Sequence, residues 1–447
     1  MIIAKTLRKA GILVILCFVF INIQSVSSQS FVKVKNAHFE INGKPYYFLG
    51  TNMWYACYLG SLKVSGGRER LVRELDRLHT LGIDNIRILG ASEEGIKENK
   101  LPFCIQKAPG VYDEELLEGL DFALNEMSKR DQHAVIFLNN FWDWSGGMLQ
   151  YLRWVKGDHA FDTTKIEVWY RTITVHGLFY SNDSAQELYN KYVRFIVNRK
   201  NKFNGLLYKN DPTIMSWQLS NEPRPGPENY IGDENVPKFV KWVDKTAALI
   251  KSMDQNHLVS AGSEGIFGCI QKSDVYLKAY ASTNIDYLNV HIWVKNWTWF
   301  NPDKFAETYP NAVKQAAEHL KLHISLARTL NKPLVYEEFG IDRDMGNLNP
   351  GTPTFARDKY LDAMFQMVHD SASKGSPIVA SNFWAWGGEG IPLKQVGSNI
   401  DVTNYVGDPF TEPQGTNSVF SNDSSTLKIL KKHTKLMKEL SERAIQK

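Results

Sequence analysis

DPTIMSWQLSNEPR, residues 211–224, reads as a buried strand that ends on a charged side chain. The β-branched and aromatic run 214–220 has strand character. Pro223 stops it, because proline cannot donate to a ladder. Asn221 and Glu222 therefore fall at the strand's C-terminal end, where a carboxylate can be half buried and still reach a ligand. A surface glutamate at a strand end is the bland alternative, and the rest of the chain decides between them.

Seven similar runs share its rhythm, at 46–52, 83–89, 134–139, 257–261, 287–293, 334–339 and 378–384. Segments with helical periodicity lie between them, at 68–80, 114–130, 185–201, 236–253, 311–330 and 355–373. Strands separated by helices run parallel, and eight of them close into a (β/α)8 TIM barrel. An open doubly wound sheet is the rival, but no GxGxxG loop follows the first strand. A hairpin with Asn42-Gly43 at its turn precedes the first barrel strand, and a basic amphipathic helix, 424–447, closes the chain. Two connections are long, 140–184 after the third strand and 387–421 after the eighth. Both leave C-terminal strand ends, where such barrels build active sites. With no Gly-, Ser- or Pro-rich linker and no internal repeat, one domain over 29–447 is expected.

Residues 1–28 read as a secretory signal: Lys5, Arg8 and Lys9 form a basic start, 12–23 is apolar, and Val26-Ser27-Ser28 offers small residues for cleavage. The apolar run is shorter than a membrane-spanning helix needs. Secretion is expected, to the exterior or, in a bacterium, to the periplasm or cell surface, with no stable membrane insertion. The leader carries three positive charges and no negative ones, so the formal +4 falls to +1. That balance gives no basis for nucleic-acid binding. Cys57, Cys104 and Cys269 remain, permitting one disulfide and one free thiol, and no Cys/His spacing suggests a metal site. Sequons stand at Asn182, Asn296 and Asn422. The 12 Trp, 19 Tyr and 23 Phe exceed what a core of this size normally uses, so some rings are expected to face a ligand.

Glu222 does not stand alone. VYEEFG, residues 335–340, puts Glu337 and Glu338 at the mouth of the seventh strand, across the barrel from the fourth. Two carboxylates facing one cleft suit glycosidic bond cleavage: one donates a proton to the leaving oxygen, and the other attacks or activates water. Ser220 and Ser263 lack a Gly-x-Ser-x-Gly elbow, which leaves serine esterase chemistry without support. His79, His133, His159 and His176 have no partner at useful spacing and are read as structural or exposed.

FLGTNMWY, GIDNIRILG, SGGMLQYLRWVKG, DPTIMSWQLSNEPR, VYEEFG, SNFWAWGG and GDPFTEPQGTNSVF, in this order, resemble glycoside hydrolase family 5 and, within it, the endo-β-1,4-mannanases. The resemblance covers nearly all of the mature chain. It implies a retaining endo-β-mannanase acting on mannan, glucomannan or galactomannan, a monomer without metal or organic cofactor. It makes Glu222 the acid/base and Glu338 the nucleophile, with Glu337 pointing away by strand alternation. Asn221 would hold the 2-hydroxyl of the cleaved sugar, Arg87 would keep the nucleophile ionised, and His291 would face the acid/base. Many relatives carry a tyrosine on the nucleophile where this chain has Trp293, whose indole N–H can donate but not accept or ionise. Trp384 matches the sugar-stacking platform. Trp54, Trp142, Trp144, Trp154, Trp297 and Trp299 sit in or near rim loops and together favour an extended polysaccharide cleft. The rivals are a β-glucanase or exo-β-mannosidase on the same scaffold, and a non-catalytic carbohydrate-binding barrel.

Overall fold

A computed structural model describes residues 30–95, 101–157, 168–393 and 401–443. The leader, His159 and the last four residues lie outside them. The barrel strands are β1 (Phe48–Asn52), β2 (Asn85–Leu89), β3 (His133–Phe137), β4 (Ile214–Gln218), β5 (Leu258–Ser260), β6 (Leu288–Ile292), β7 (Leu334–Phe339) and β8 (Ile378–Phe383). Each is followed by a helix: α1 (Gly67–Thr80), α2 (Glu114–Ser128), α3 (Asp183–Val197), α4 (Tyr230–Met253), α5 (Ser273–Tyr280), α6 (Phe305–Leu330), α7 (Phe355–Ser373) and α8 (Ser424–Arg443). The strands pair in parallel in the order β5-β4-β3-β2-β1-β8-β7-β6, the (β/α)8 order. Between the edges β5 and β6, Asp286 bridges: its N–H donates to the Val259 carbonyl at 2.8 Å, and its carboxylate accepts from the Val259 N–H at 2.7 Å.

Asn42 (φ 54°) and Gly43 (φ 74°) form the left-handed pair of the expected hairpin turn. A second turn at Asn36-Ala37, not marked in the sequence by glycine, makes this N-terminal unit three-stranded. The unit plugs the floor of the barrel. Phe39 packs on Phe48 and edge-on to Tyr287, within an apolar cluster that includes Val135, Met215, Leu258 and Val335.

Helices α4 and α6 begin earlier than the periodicity predicts, running through Pro237 and Pro310. A proline costs its own N–H bond and crowds one carbonyl. In α4 the added turns are capped, as the Asn229 side chain accepts from the Ile231 N–H. Cys57, Cys104 and Cys269 are all buried thiols, and the permitted disulfide among them does not form. No described helix is long and apolar enough to cross a membrane.

Candidate active site

The C-terminal mouth holds a cavity of about 610 Å³, lined among others by Trp142, Glu222, Phe267, Trp293, Glu338 and Trp384. Loops after β3, β4, β5, β6 and β8 wall it. The β3 loop turns sharply at Gly146 and Gly147. A Cβ on Gly147, whose φ is +60°, would lie 2.3 Å from the Asn140 carbonyl oxygen. The Gly147 N–H donates to buried Glu93 at 2.8 Å. Burial pushes the Glu93 carboxyl up to about 8, against the pull of its hydrogen bonds.

Glu222 follows β4 with φ +48°, a left-handed conformation that costs a non-glycine residue about 1–3 kcal/mol. Its N–H donates to the Gly262 carbonyl at 2.9 Å, which helps hold that turn. One carboxylate oxygen accepts from His291 Nδ1 at 2.7 Å and from Trp293 Nε1 at 3.2 Å; the other accepts from Trp142 Nε1 at 2.6 Å. Trp293 therefore serves Glu222 and not Glu338, the carboxylate that the tyrosine of many relatives would contact. Arg224 packs on Trp142, its guanidinium 5.1 Å from the indole centroid and paired with buried Glu264.

Glu338 lies across the mouth and is bonded by Arg87 Nη1. The guanidinium also donates to Asn52 (3.2 Å), Gln218 (2.7 Å) and Asn221 (2.8 Å). Asn221 completes this lattice by donating to Asn140 at 3.2 Å. Arg87 is thus held in a single orientation by strands β1, β2 and β4 and the turn after β4.

Glu337 does not point away. Along β7, Val290 pairs with Tyr336 and His291 with Glu338, so Glu337 is an extra, unpaired residue. This β-bulge breaks the alternation and turns two successive glutamates into the barrel, while Tyr336 and Phe339 stack on each other among the outer helices. Glu337 accepts from Gln218 Nε2 at 2.6 Å and lies 3.6 Å from Arg87 Nε and 3.5 Å from His291 Nε2.

Burial pushes the Glu222 carboxyl up, but the hydrogen bond and charge of His291, then Arg224 and Trp142, outweigh it and bring it down to about 2. Burial also lowers His291, yet Glu338, Glu222 and Glu337 carry it up to about 10. Burial drives Glu338 up to about 7, since the pull of His291 and Arg87 is partly offset by Glu222 and Glu337. These groups titrate jointly, and the 2.7 Å bond joins Glu222, whose carboxyl is pulled down, to His291, whose imidazole is pulled up. Facing atoms of Glu222, His291 and Glu338 lie within 4.8 Å of one another. That span would admit an ion, but Arg87 and the imidazole already supply the counter-charge.

The fold brings Glu222, Glu338, Arg87, Asn221, His291, Trp293 and Trp384 to this mouth. Trp54 is not among them. It is 0% exposed, donates Nε1 to the Gly407 carbonyl at 3.0 Å and packs edge-on against Trp144 and Phe410. The long β8 loop folds over it, and an indole satisfied by a carbonyl is stable as core. Trp154 also does not line the cavity, whereas Trp142, Trp144, Trp297 and Trp299 do, with Trp297 stacked 3.7 Å from Phe267. Glu264, Phe267 and Glu412 line it too and were not singled out from sequence, since each comes from a loop without helical or strand period.

Residues 29–442 match a family model described as GH family 5 beta-mannosidase-like. A mannan endo-1,4-beta-mannosidase from Solanum lycopersicum is 28% identical over 82% of this chain and 86% of its own length. One from Arabidopsis thaliana is 29% identical over 81% and 83%. The solved glycoside hydrolase family 5 mannosidase from Rhizomucor miehei is 32% identical and superimposes with a TM-score of 0.83 over 93% of this chain and all of that one.

Proposed function

This chain belongs to glycoside hydrolase family 5, and from that premise we propose that it is a secreted, retaining hydrolase of β-1,4-mannosidic bonds in mannan, glucomannan or galactomannan. The observation that carries the reading is the pair Glu222 and Glu338, facing each other within 4.8 Å at the barrel mouth. That separation suits direct attack; an inverting enzyme needs roughly 6.5–9.5 Å to fit a water.

In the first step Glu338 bonds to the anomeric carbon while the glycosidic C–O bond breaks, and Glu222, bonded to His291, delivers a proton to the leaving oxygen. Arg87 and His291 pull Glu338 toward its ionised form against burial, and the Trp142, Trp293 and His291 donors steady the charge left on Glu222. Forming the glycosyl ester removes the negative charge of Glu338. In the second step Glu222 takes a proton from water, the water oxygen bonds to the anomeric carbon from the same side, and the ester bond breaks. Asn221, fixed by Arg87, presents its amide to the 2-hydroxyl of the cleaved sugar, and Trp384 lies beneath it.

Cleavage of internal bonds is supported by the plant relatives, which match over more than 80% of their length. A second reading, removal of mannose from chain ends, is favoured by the likeness to the Rhizomucor mannosidase and by a walled cavity from which Trp54 is withdrawn. A reducing-sugar assay on mannan, glucomannan and carboxymethylcellulose tests the substrate class, and activity on carboxymethylcellulose alone overturns it. Early products of mixed length support internal cleavage, and mannose alone supports chain-end action. NMR of the first product anomer must show retention. The basic, apolar and small-residue leader supports secretion, which N-terminal sequencing of exported protein checks by a start near residue 29.

A further inference from the structure

Beneath the catalytic pair lies a third glutamate that the hydrolytic scheme leaves unused. Glu337 is 1% exposed. Gln218 Nε2 donates to one of its oxygens, and the other faces His291 Nε2 at 3.5 Å. On its opposite nitrogen, Nδ1, His291 meets Glu222 at 2.7 Å and Glu338 at 3.4 Å. Each ring nitrogen of this buried imidazole thus faces a carboxylate. A neutral imidazole carries one N–H and would present a lone pair to a carboxylate on one side; only the imidazolium donates on both.

We propose that Glu337 is a positioning residue that holds His291 as an imidazolium between two carboxylates, making the Glu222–His291 pair the store of the proton delivered to the leaving sugar. This rests on the retaining-hydrolase reading. The charges facing His291 are Glu222 after β4, Glu337 and Glu338 on β7, and Arg87 on β2 behind Glu337; Glu264, paired with Arg224, stands next at the end of β5. With a neutral imidazole, three carboxylates would face the single guanidinium of Arg87, and a protonated ring halves that excess. The direction of the His291 shift, upward despite burial, agrees.

Protons balance through the cycle. In the first step the proton leaves the Glu222–His291 pair for the glycosidic oxygen, so the pair ends as neutral imidazole and carboxylate. In the second, the proton released by water returns to the pair as the hydroxyl bonds to the anomeric carbon and Glu338 departs as carboxylate.

The test is a titration of ¹⁵N-histidine-labelled protein without substrate, with the His291 signal assigned by its loss in His291→Gln. The wild type is expected to be protonated on both ring nitrogens at pH 7, and a neutral ring there overturns the proposal even if no Glu337 variant folds. In Glu337→Gln the loss of that proton should move down by at least about one pH unit, a tenfold change in proton affinity. The basic limb of kcat/KM should follow, with KM little changed, and Glu337→Asp should lie between. An unmoved His291 titration in folded Glu337→Gln overturns the role. The titration needs no sugar, so it is decided separately from the hydrolase reading, which fails instead if the wild type cleaves no mannoside.

Discussion

The two ends of the barrel are built from the same eight strands, yet one is a plug and the other a charge trap. At the floor, Phe39, Phe48, Val135, Met215, Leu258 and Val335 close on one another. At the mouth, Arg87, Glu222, His291, Glu337 and Glu338 are buried too, yet their side chains are ionisable. Burying ions gains little net stability even when they are paired, whereas burying apolar area contributes directly. The floor therefore holds the fold together, and the mouth keeps groups poised to react.

The largest effect expected on this contrast is at the mouth. Glu338→Ala should lower kcat by at least about 10⁴-fold, as removal of a nucleophile does, with thermal unfolding little changed. An active Glu338→Ala protein would break the assignment. Phe39→Ala should do the reverse at the floor, costing about 3–5 kcal/mol in denaturant unfolding while the folded fraction keeps its kcat. Comparable losses of activity and stability in both variants would dissolve the division.

Smaller effects sharpen it. Trp142→Phe keeps the ring but removes the N–H donated to Glu222 at 2.6 Å. A hydrogen bond to a charged group contributes about 1.5–3 kcal/mol, so kcat should fall by roughly ten- to a hundredfold with Tm nearly constant. The floor has its own half-buried carboxyl, Asp84, which accepts from the Tyr46 hydroxyl at 3.1 Å and is driven up to about 7 by burial. An acid whose folded value is raised binds its proton more tightly in the native state, so its ionisation favours unfolding as pH rises from about 4 to 7. Asp84→Asn should flatten the decline of Tm across that window and raise Tm at pH 8, leaving kcat unaffected.

Much of this was legible in the chain. The eight short runs name the eight strands within a residue or two, because buried parallel strands must be apolar on both faces. NEP and EEFG locate the carboxylates, because proline and glycine end those strands at the mouth. Alternation failed at Glu337, since a bulge depends on the neighbouring strand's register and leaves no mark in its own sequence. Trp54 was misplaced because loop tryptophans read alike whether a distant loop covers them or not. The direction of the Trp293 N–H was open for a similar reason: it is set by where Glu222 lies, not by any residue beside it.

The sequence by itself determined the barrel, the ends of its strands and the two acids at their mouths, because those follow from periodicity and from residues that stop a strand. Only the tertiary structure decided which nitrogen meets which carboxylate, that a third glutamate shares the imidazole, and which rings line the cavity. Those contacts join residues more than forty positions apart, and hydrogen bonds at such separations are set by register and loop packing, which local pattern does not encode.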